Sequence, residues 1–189
     1  MIKYELVEVS TLKSVFEEIP YLEGQNIIIK KVEKKDAPEL DRLRKNEYVN
    51  KRVPTFLFEK RYDDINYVID HLYDECLEES VILGVYRKSD MTFCGLCEFY
   101  GFNDELQKIS VGCRLLEEKC GKGFGTETAR LMVEHLTNNT DIKIITASIL
   151  ADNIPSQRAV EKAGFKLVNA SSEEDFGFGE PSIVTKWVY

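Results

Sequence analysis

Three residue patterns in this chain could carry chemistry. The first is Gly121-Lys122-Gly123-Phe124-Gly125-Thr126. Glycines at three of these positions remove β-carbons, so a ligand can touch the main chain. A helical pattern follows at once, with Ala129, Met132, Val133 and Leu136 at i, i+3, i+4 and i+7. The first N–H groups of a helix have no partner inside it, and the helix dipole adds positive potential at that end. A glycine turn opening a helix is therefore a cradle for phosphate. The second pattern is Glu98, midway along the strand-like run Phe93 to Phe102, with Leu96 and Tyr100 on the same parity. A carboxylate among apolar neighbours is expected to have a raised pKa, which suits a base working near neutrality. The third is Asn153-Ile-Pro-Ser156, which opens another helix. Asn153 suits an N-cap, while Ser156 shares a face with Ala159, Val160 and Ala163 and so points coreward. Cys120, beside Lys119 and Lys122, is expected to have a lowered thiol pKa and to form a mixed disulfide with a bound thiol under oxidation.

The kind of phosphate is the next question. The Walker pattern GxxxxGK[ST] is absent. The dinucleotide pattern GxGxxG is nearly met by Gly121, Gly123 and Thr126, and Asp152 after the run Ile142 to Leu150 mimics the acidic ribose ligand. A dinucleotide-binding oxidoreductase is therefore an alternative. Against it, about seven residues, many charged, separate strand from helix where the dinucleotide turn is tight.

The stretch Cys120-Gly121-Lys122-Gly123-Phe124-Gly125 resembles motif A, Q/R-x-x-G-x-G/A, of the GNAT superfamily of N-acetyltransferases. GKGFGTETARLMVEHL and the later ADNIPSQRAVEKAGFKL are similar to the branch that includes the ribosomal-protein N-terminal acetyltransferases, over roughly residues 27–189. Cys120 stands where the family usually has Arg or Gln. The resemblance implies that acetyl-coenzyme A is the co-substrate, with no metal. Its diphosphate would lie on Cys120 to Thr126, its pantetheine arm along the main chain of Cys113, Arg114 and Leu115, with Asn153 at an amide. Glu98 would be the base. Ser156 or a tyrosine, Tyr100 or Tyr86, would protonate the leaving thiolate. The acceptor would be a primary amine, of a protein N-terminus or a small molecule. A non-catalytic acyl-coenzyme A sensor on the same fold is the second alternative.

The elements that must position these residues are legible in outline. Asn26 to Val32 reads as a strand, and Asp36-Ala-Pro-Glu39 as a capping box that starts a helix with inner residues Leu40 and Leu43. Pro54 to Phe58 interrupts the helical region with aromatics. Ile65, Val68, Ile69, Leu72 and Cys76 mark a second helix, begun by Asp63 and Asp64. Val81 to Tyr86, Phe93 to Phe102 and Ile109 to Leu116 form an antiparallel meander, and the helix after Thr126 leads to a parallel strand at Ile142 to Leu150. Phe165 to Val168 and Ser182 to Tyr189 close the sheet around an acidic loop, Ser171 to Pro181. The expected fold is thus α/β with a mixed, mostly antiparallel sheet and one βαβ unit. Residues 25–189 form the domain. Residues 1–24, with a strand at Ile2 to Val9 and a helix carrying Leu12, Val15, Phe16 and Ile19, are an extension packed on it or part of a homodimer contact.

Composition narrows the partners. The 189 residues carry a net charge of −8 and a pI of about 5.0, with no basic stripe, which argues against nucleic acid and suits a cationic acceptor. No apolar run approaches the about 18 residues of a membrane span, and no secretory leader is visible, so a cytoplasmic protein with reduced cysteines is expected. Cys94-Gly-Leu-Cys97 has redox or zinc spacing but no second pair or nearby His. His71 and His135 read as partly exposed helical residues.

Overall fold

The computed structural model describes residues 15–16, 18–53, 62–74, 77, 79–176 and 180–189. The expected strand at 2–9, most of the helix after it, the aromatics of 54–58, Cys76 and residues 177–179 lie outside these.

Eight strands form one sheet in the order β1-β2-β3-β4-β5-β6-β8-β7. They are β1 (Leu22–Glu23), β2 (Ile27–Lys30), β3 (Ser80–Arg87), β4 (Thr92–Asn103), β5 (Lys108–Leu115), β6 (Ile144–Leu150), β7 (Lys166–Glu174) and β8 (Ser182–Val188). The helices are α1 (Ala37–Arg44), α2 (Glu47–Arg52), α3 (Ile65–His71), α4 (Phe124–Asn139) and α5 (Ile154–Lys162). Every neighbouring pair is antiparallel except β5–β6, which α4 bridges. The mixed sheet with one βαβ unit is as expected. A doubly wound dinucleotide fold, which needs a mostly parallel sheet, is excluded.

The strands alternate between two buried faces. Val81, Leu83 and Val85 join Phe99, Val111 and the α4 residues Met132, Val133 and Leu136 on one side. Ile82, Tyr86 and Leu96 join Leu40, Leu43, Val49, Val68 and Ile69 from α1–α3 on the other. Period-two runs that are apolar at every position therefore mark strands sandwiched between helices. A bulge in β4 opposite Val85/Tyr86 lets Cys94 and Cys97, three apart, face the same side. Both are free thiols buried in the core, where burial raises their pKa. A redox pair needs exposed, acidic thiols, so that spacing is packing.

Two local expectations are corrected. Asp36 does not cap α1 with its side chain. Its Oδ2 accepts from Glu33 N at 2.9 Å and from the Tyr86 hydroxyl at 2.6 Å, closing a short turn one step earlier. Tyr86 is thereby tied to α1, and burial first, then the Asp36 hydrogen bond, push its phenol pKa far up. And β7 continues through Ser171–Glu174, where a loop is expected, as an exposed edge strand with two register shifts.

α5 ends as its sequence requires. Gly164 has φ 105, Gly164 N donates to Glu161 O at 3.0 Å and Phe165 N to Val160 O at 3.1 Å. This pair of bonds is the Schellman motif, and it turns the chain into β7.

Candidate active-site cleft

The parallel pair β5–β6 is short. Lys108, Ile109 and Ser110 pair with Ile144, Ile145 and Thr146, and there the ladder stops. β5 stays bonded to β4 through Leu115, and β6 to β8 through Leu150. The two strands therefore part company, and their facing edges line a cleft of about 720 Å³. Main-chain groups in such a gap need partners, and no strand supplies them among the described residues.

One end of the cleft is the start of α4. Gly121 and Gly123 have φ 73 and 84, a conformation glycine adopts at little cost. A β-carbon built on either would meet nothing within 4 Å, so the space above the cradle is open. Gly125 and Thr126 line the same wall. Phe124 and Lys122 do not. The Phe124 ring is 7% exposed and belongs to the core under α4.

The turn at Gly121 and Gly123 thus faces open space with positive helix potential behind it, which fits a diphosphate. The β5 residues Cys113, Arg114 and Leu115 line the cleft beside them. Burial pushes the Cys113 thiol up to about 12, so it stays protonated.

The facing wall is the start of α5. Asn153 is buried, and its Oδ1 accepts from Ser156 N at 3.3 Å as an N-cap. Its Nδ2 donates to the Arg52 carbonyl at 3.5 Å, tying α5 to α2. Ser156 lines the cleft as its helical face implies, and its hydroxyl makes no hydrogen bond among the described residues.

Glu98 and Tyr100 reach the cleft from β4. The expectation of an apolar setting for Glu98 is corrected: Arg114 Nη1 lies 3.1 Å from Glu98 Oε2. Tyr100 is packed into the cleft wall. Burial, then the charges of Glu98 and Glu174, raise its phenol pKa well above the ordinary value. Of the two tyrosines weighed above, Tyr100 is in the cleft and Tyr86 is not.

Cys120 lines the cleft but departs from expectation. α4 begins at Phe124, so Cys120 lies before the helix, at the end of a short 3-10 turn. Burial raises its thiol, and the Tyr48 hydroxyl and the Arg52 charge offset this only in part. The expected acidic thiol is thereby corrected: burial outweighs the nearby cation.

Sequence reasoning missed the α2 contribution. Tyr48 and Arg52 line the cleft from that helix. Their i, i+4 spacing on one face of a helix was the available signal. Glu79, Ser80, Asp175 and Phe176 complete the lining at the β4 end. Among the described residues, no helix is long and apolar enough to cross a membrane, and no three metal-ligating side chains gather.

Comparison with known proteins agrees with this architecture. The Probable N-acetyltransferase YjcK of Bacillus subtilis is 32% identical over 96 residues, 49% of this chain and 53% of that protein. The chain spans about half the length of the curated relatives it matches. Among solved structures, a putative ribosomal-protein-serine acetyltransferase from Vibrio cholerae superposes with a TM-score of 0.70 at 16% identity, covering 88% of this chain and 95% of that one. A spermidine N-acetyltransferase from Vibrio cholerae, in complex with CoA and spermine, superposes with a TM-score of 0.70 at 17% identity, covering 88% and 96%. These identities establish a shared fold. The profile of the Acetyltransferase (GNAT) domain matches residues 26–166, from β2 to the first residue of β7. By that match, over most of its length, the chain belongs to the GNAT acetyltransferase family.

Proposed function

We propose that this protein is an acetyl-coenzyme A-dependent N-acetyltransferase whose acceptor is a primary amine. The observation that carries the reading is the parting of β5 and β6 directly before the glycine-lined start of α4. In this reading the amides of Gly121 to Thr126 hold the diphosphate. The main chain of Cys113, Arg114 and Leu115 takes the pantetheine arm and polarises the acyl carbonyl. Asn153 does double duty as N-cap and amide partner. Bound there, the coenzyme supplies an activated acetyl thioester.

The chain's own groups then manage protons. Glu98, fixed by Arg114, accepts the proton of the incoming ammonium, directly or through one water. Tyr100 keeps its proton through neutral pH and donates it to the departing sulfur, with Ser156 as a second donor on the opposite wall. The demand on Glu98 depends on the acceptor. At pH 7, neutralising an α-amino group of pKa near 8 costs about 1.4 kcal/mol, and a lysine near 10.4 about 4.6 kcal/mol. A carboxylate already engaged by a guanidinium suits the easier task. We therefore favour an α-amine, as in the ribosomal-protein branch, or a small amine of modest basicity.

Residues 25–189 act as one domain, and Phe16, ahead of it, packs on it. Phe16 is buried and lies 5.0 Å from the Phe99 ring. The four described cysteines are free thiols, in keeping with a reducing compartment.

A thiol-release assay with acetyl-coenzyme A and a panel of peptides with free N-termini, lysine peptides and small amines tests the proposal. Turnover on an amine is expected. Tight coenzyme binding without turnover on any amine would instead mark a sensor, and absence of coenzyme binding would end the reading.

A further inference from the structure

Four cationic side chains line the cleft among the described residues: Arg52, Arg114, Arg158 and Lys162. Arg114 is engaged by Glu98. Arg158 is exposed on α5. Arg52 is the unusual one. It is half-buried at the last position of α2, and no carboxylate pairs with it among the described residues. Its guanidinium carbon lies 3.6 Å from the centroid of the Tyr48 ring, and its Nη1 donates to the Tyr48 carbonyl at 3.2 Å. Tyr48, Arg52 and Cys120 line the same cleft, and the Tyr48 hydroxyl and the Arg52 charge both favour the Cys120 thiolate. The Arg52 carbonyl accepts from Asn153. A single arginine thus shares the cleft with the glycine turn before α4 and is tied through its carbonyl to the N-cap of α5.

This arrangement is electrostatically incomplete. A guanidinium beside the positive end of a helix is a repulsive neighbour. It loses water by being half-buried and gains no carboxylate in return. An anion lying on the α4 amides would satisfy both.

We infer that Arg52 is the side-chain cation that grips the coenzyme's diphosphate. The inference rests on the coenzyme reading above. The planar fork of arginine matches two phosphate oxygens at once. Stacking on Tyr48 fixes the plane of the fork beforehand, which lowers the ordering cost of binding.

Calorimetric titrations of the full chain test this with three ligands: coenzyme A, dephospho-coenzyme A and pantetheine. Arg52→Gln is expected to weaken coenzyme A about 10- to 100-fold, the range of a charged hydrogen-bonded contact. Dephospho-coenzyme A, which keeps the diphosphate, should lose as much. Pantetheine, which has no phosphate, should bind as to the wild type. The salt dependence of coenzyme binding should flatten in the variant. Arg52→Lys should recover part of the affinity, and it carries the comparison if Arg52→Gln does not fold. Equal loss for pantetheine, or a loss confined to coenzyme A and spared in dephospho-coenzyme A, would overturn the assignment. So would wild-type affinity in Arg52→Gln, while leaving the coenzyme reading standing. Only a wild-type chain that binds no coenzyme A would sink both.

Discussion

Arg114 Nη1 sits 3.1 Å from Glu98 Oε2, with the two side chains 2% and 13% exposed. The register explains the meeting. Leu96 pairs with Arg114 and Glu98 with Gly112, so Glu98 and Arg114 are diagonal neighbours on one face, and glycine opposite Glu98 leaves room for the guanidinium. An aimed carboxylate follows, and with it a two-part prediction. Glu98→Gln should lower kcat about 10²- to 10⁴-fold as the loss of a general base. It should also cost about 3 kcal/mol of stability, because a buried guanidinium loses a charged partner. Pairing it with Arg114→Met should restore much of the stability and none of the turnover. Melting temperature and steady-state kinetics on the same three variants separate the two effects, and a Glu98→Gln enzyme with full kcat would remove Glu98 from the proton path.

Tyr100 offers a second kinetic handle. Its phenol is pushed above the ordinary value by burial and by nearby carboxylates, so it stays protonated through neutral and mildly alkaline pH. Tyr100→Phe should cut kcat about 100-fold with little change in coenzyme binding, the lower end for loss of a general acid. Ser156→Ala should cost less than Tyr100→Phe. The wild-type profile of kcat should show no alkaline decline from this group below about pH 10. Should Ser156→Ala prove the more damaging, the donor roles exchange.

The parts of this site that were legible in the sequence are those whose chemistry is local. Gly121 to Thr126 had to open a helix, and Asn153 to Ser156 had to start one, because caps and glycine turns are written in neighbouring residues. Arg52 and Tyr48 show one helix face in their spacing, but what makes them site residues is the cleft they line with residues far along the chain. Glu98 shows the same limit: its strand was plain, but its guanidinium partner depends on register, and register is set by the whole sheet. The second half of β7 escaped for a different reason. Asn-Ala-Ser-Ser-Glu-Glu buries almost nothing, so it carries no alternation, and only pairing with β8 makes it a strand.

Two glycines should separate folding from binding. A β-carbon at Gly95 would come within 2.1 Å of the Arg114 carbonyl oxygen and 2.8 Å of the Leu115 α-carbon. Those are main-chain atoms of β5, so relief means moving a strand. Gly95→Ala is expected to lose about 3 kcal/mol, as overpacking against backbone does. Gly123→Ala meets nothing, and its penalty is the left-handed backbone, about 1–2 kcal/mol. Its new methyl, however, projects where the diphosphate would lie. Denaturant melts beside coenzyme titrations should show Gly95→Ala failing first in stability and Gly123→Ala first in affinity.

Cys120 should be sluggish toward alkylation. Burial holds its thiol above the usual range. At pH 7.5, iodoacetamide should therefore modify it more slowly than a free thiol of ordinary pKa, because less thiolate is present. Mass spectrometry of timed digests reads this directly. Labelling as fast as a free peptide thiol would mean that the Tyr48 hydroxyl and the Arg52 charge outweigh burial.

His135 should make the fold sensitive to mild acid. Its ring stacks on Phe16, with centroids 5.9 Å apart and planes within 5°, and burial lowers its pKa below the ordinary 6.5. Below that ordinary value the unfolded chain binds a proton that the folded chain resists. The unfolded state then holds more protons, and stability falls as pH drops from about 6.5 toward the lowered folded value. Above about pH 6.5 both states are neutral and the effect vanishes. His135→Phe keeps an aromatic partner for Phe16 and removes the titration. Melting temperatures at pH 7.5 and pH 5 should therefore differ less in His135→Phe than in the wild type. Because Phe16 precedes β1, the same acid window should loosen the chain's first described residues from α4, which hydrogen exchange at Phe16 would register. An unchanged pH dependence in His135→Phe would place the acid sensitivity elsewhere, in the carboxylate pairs of the surface.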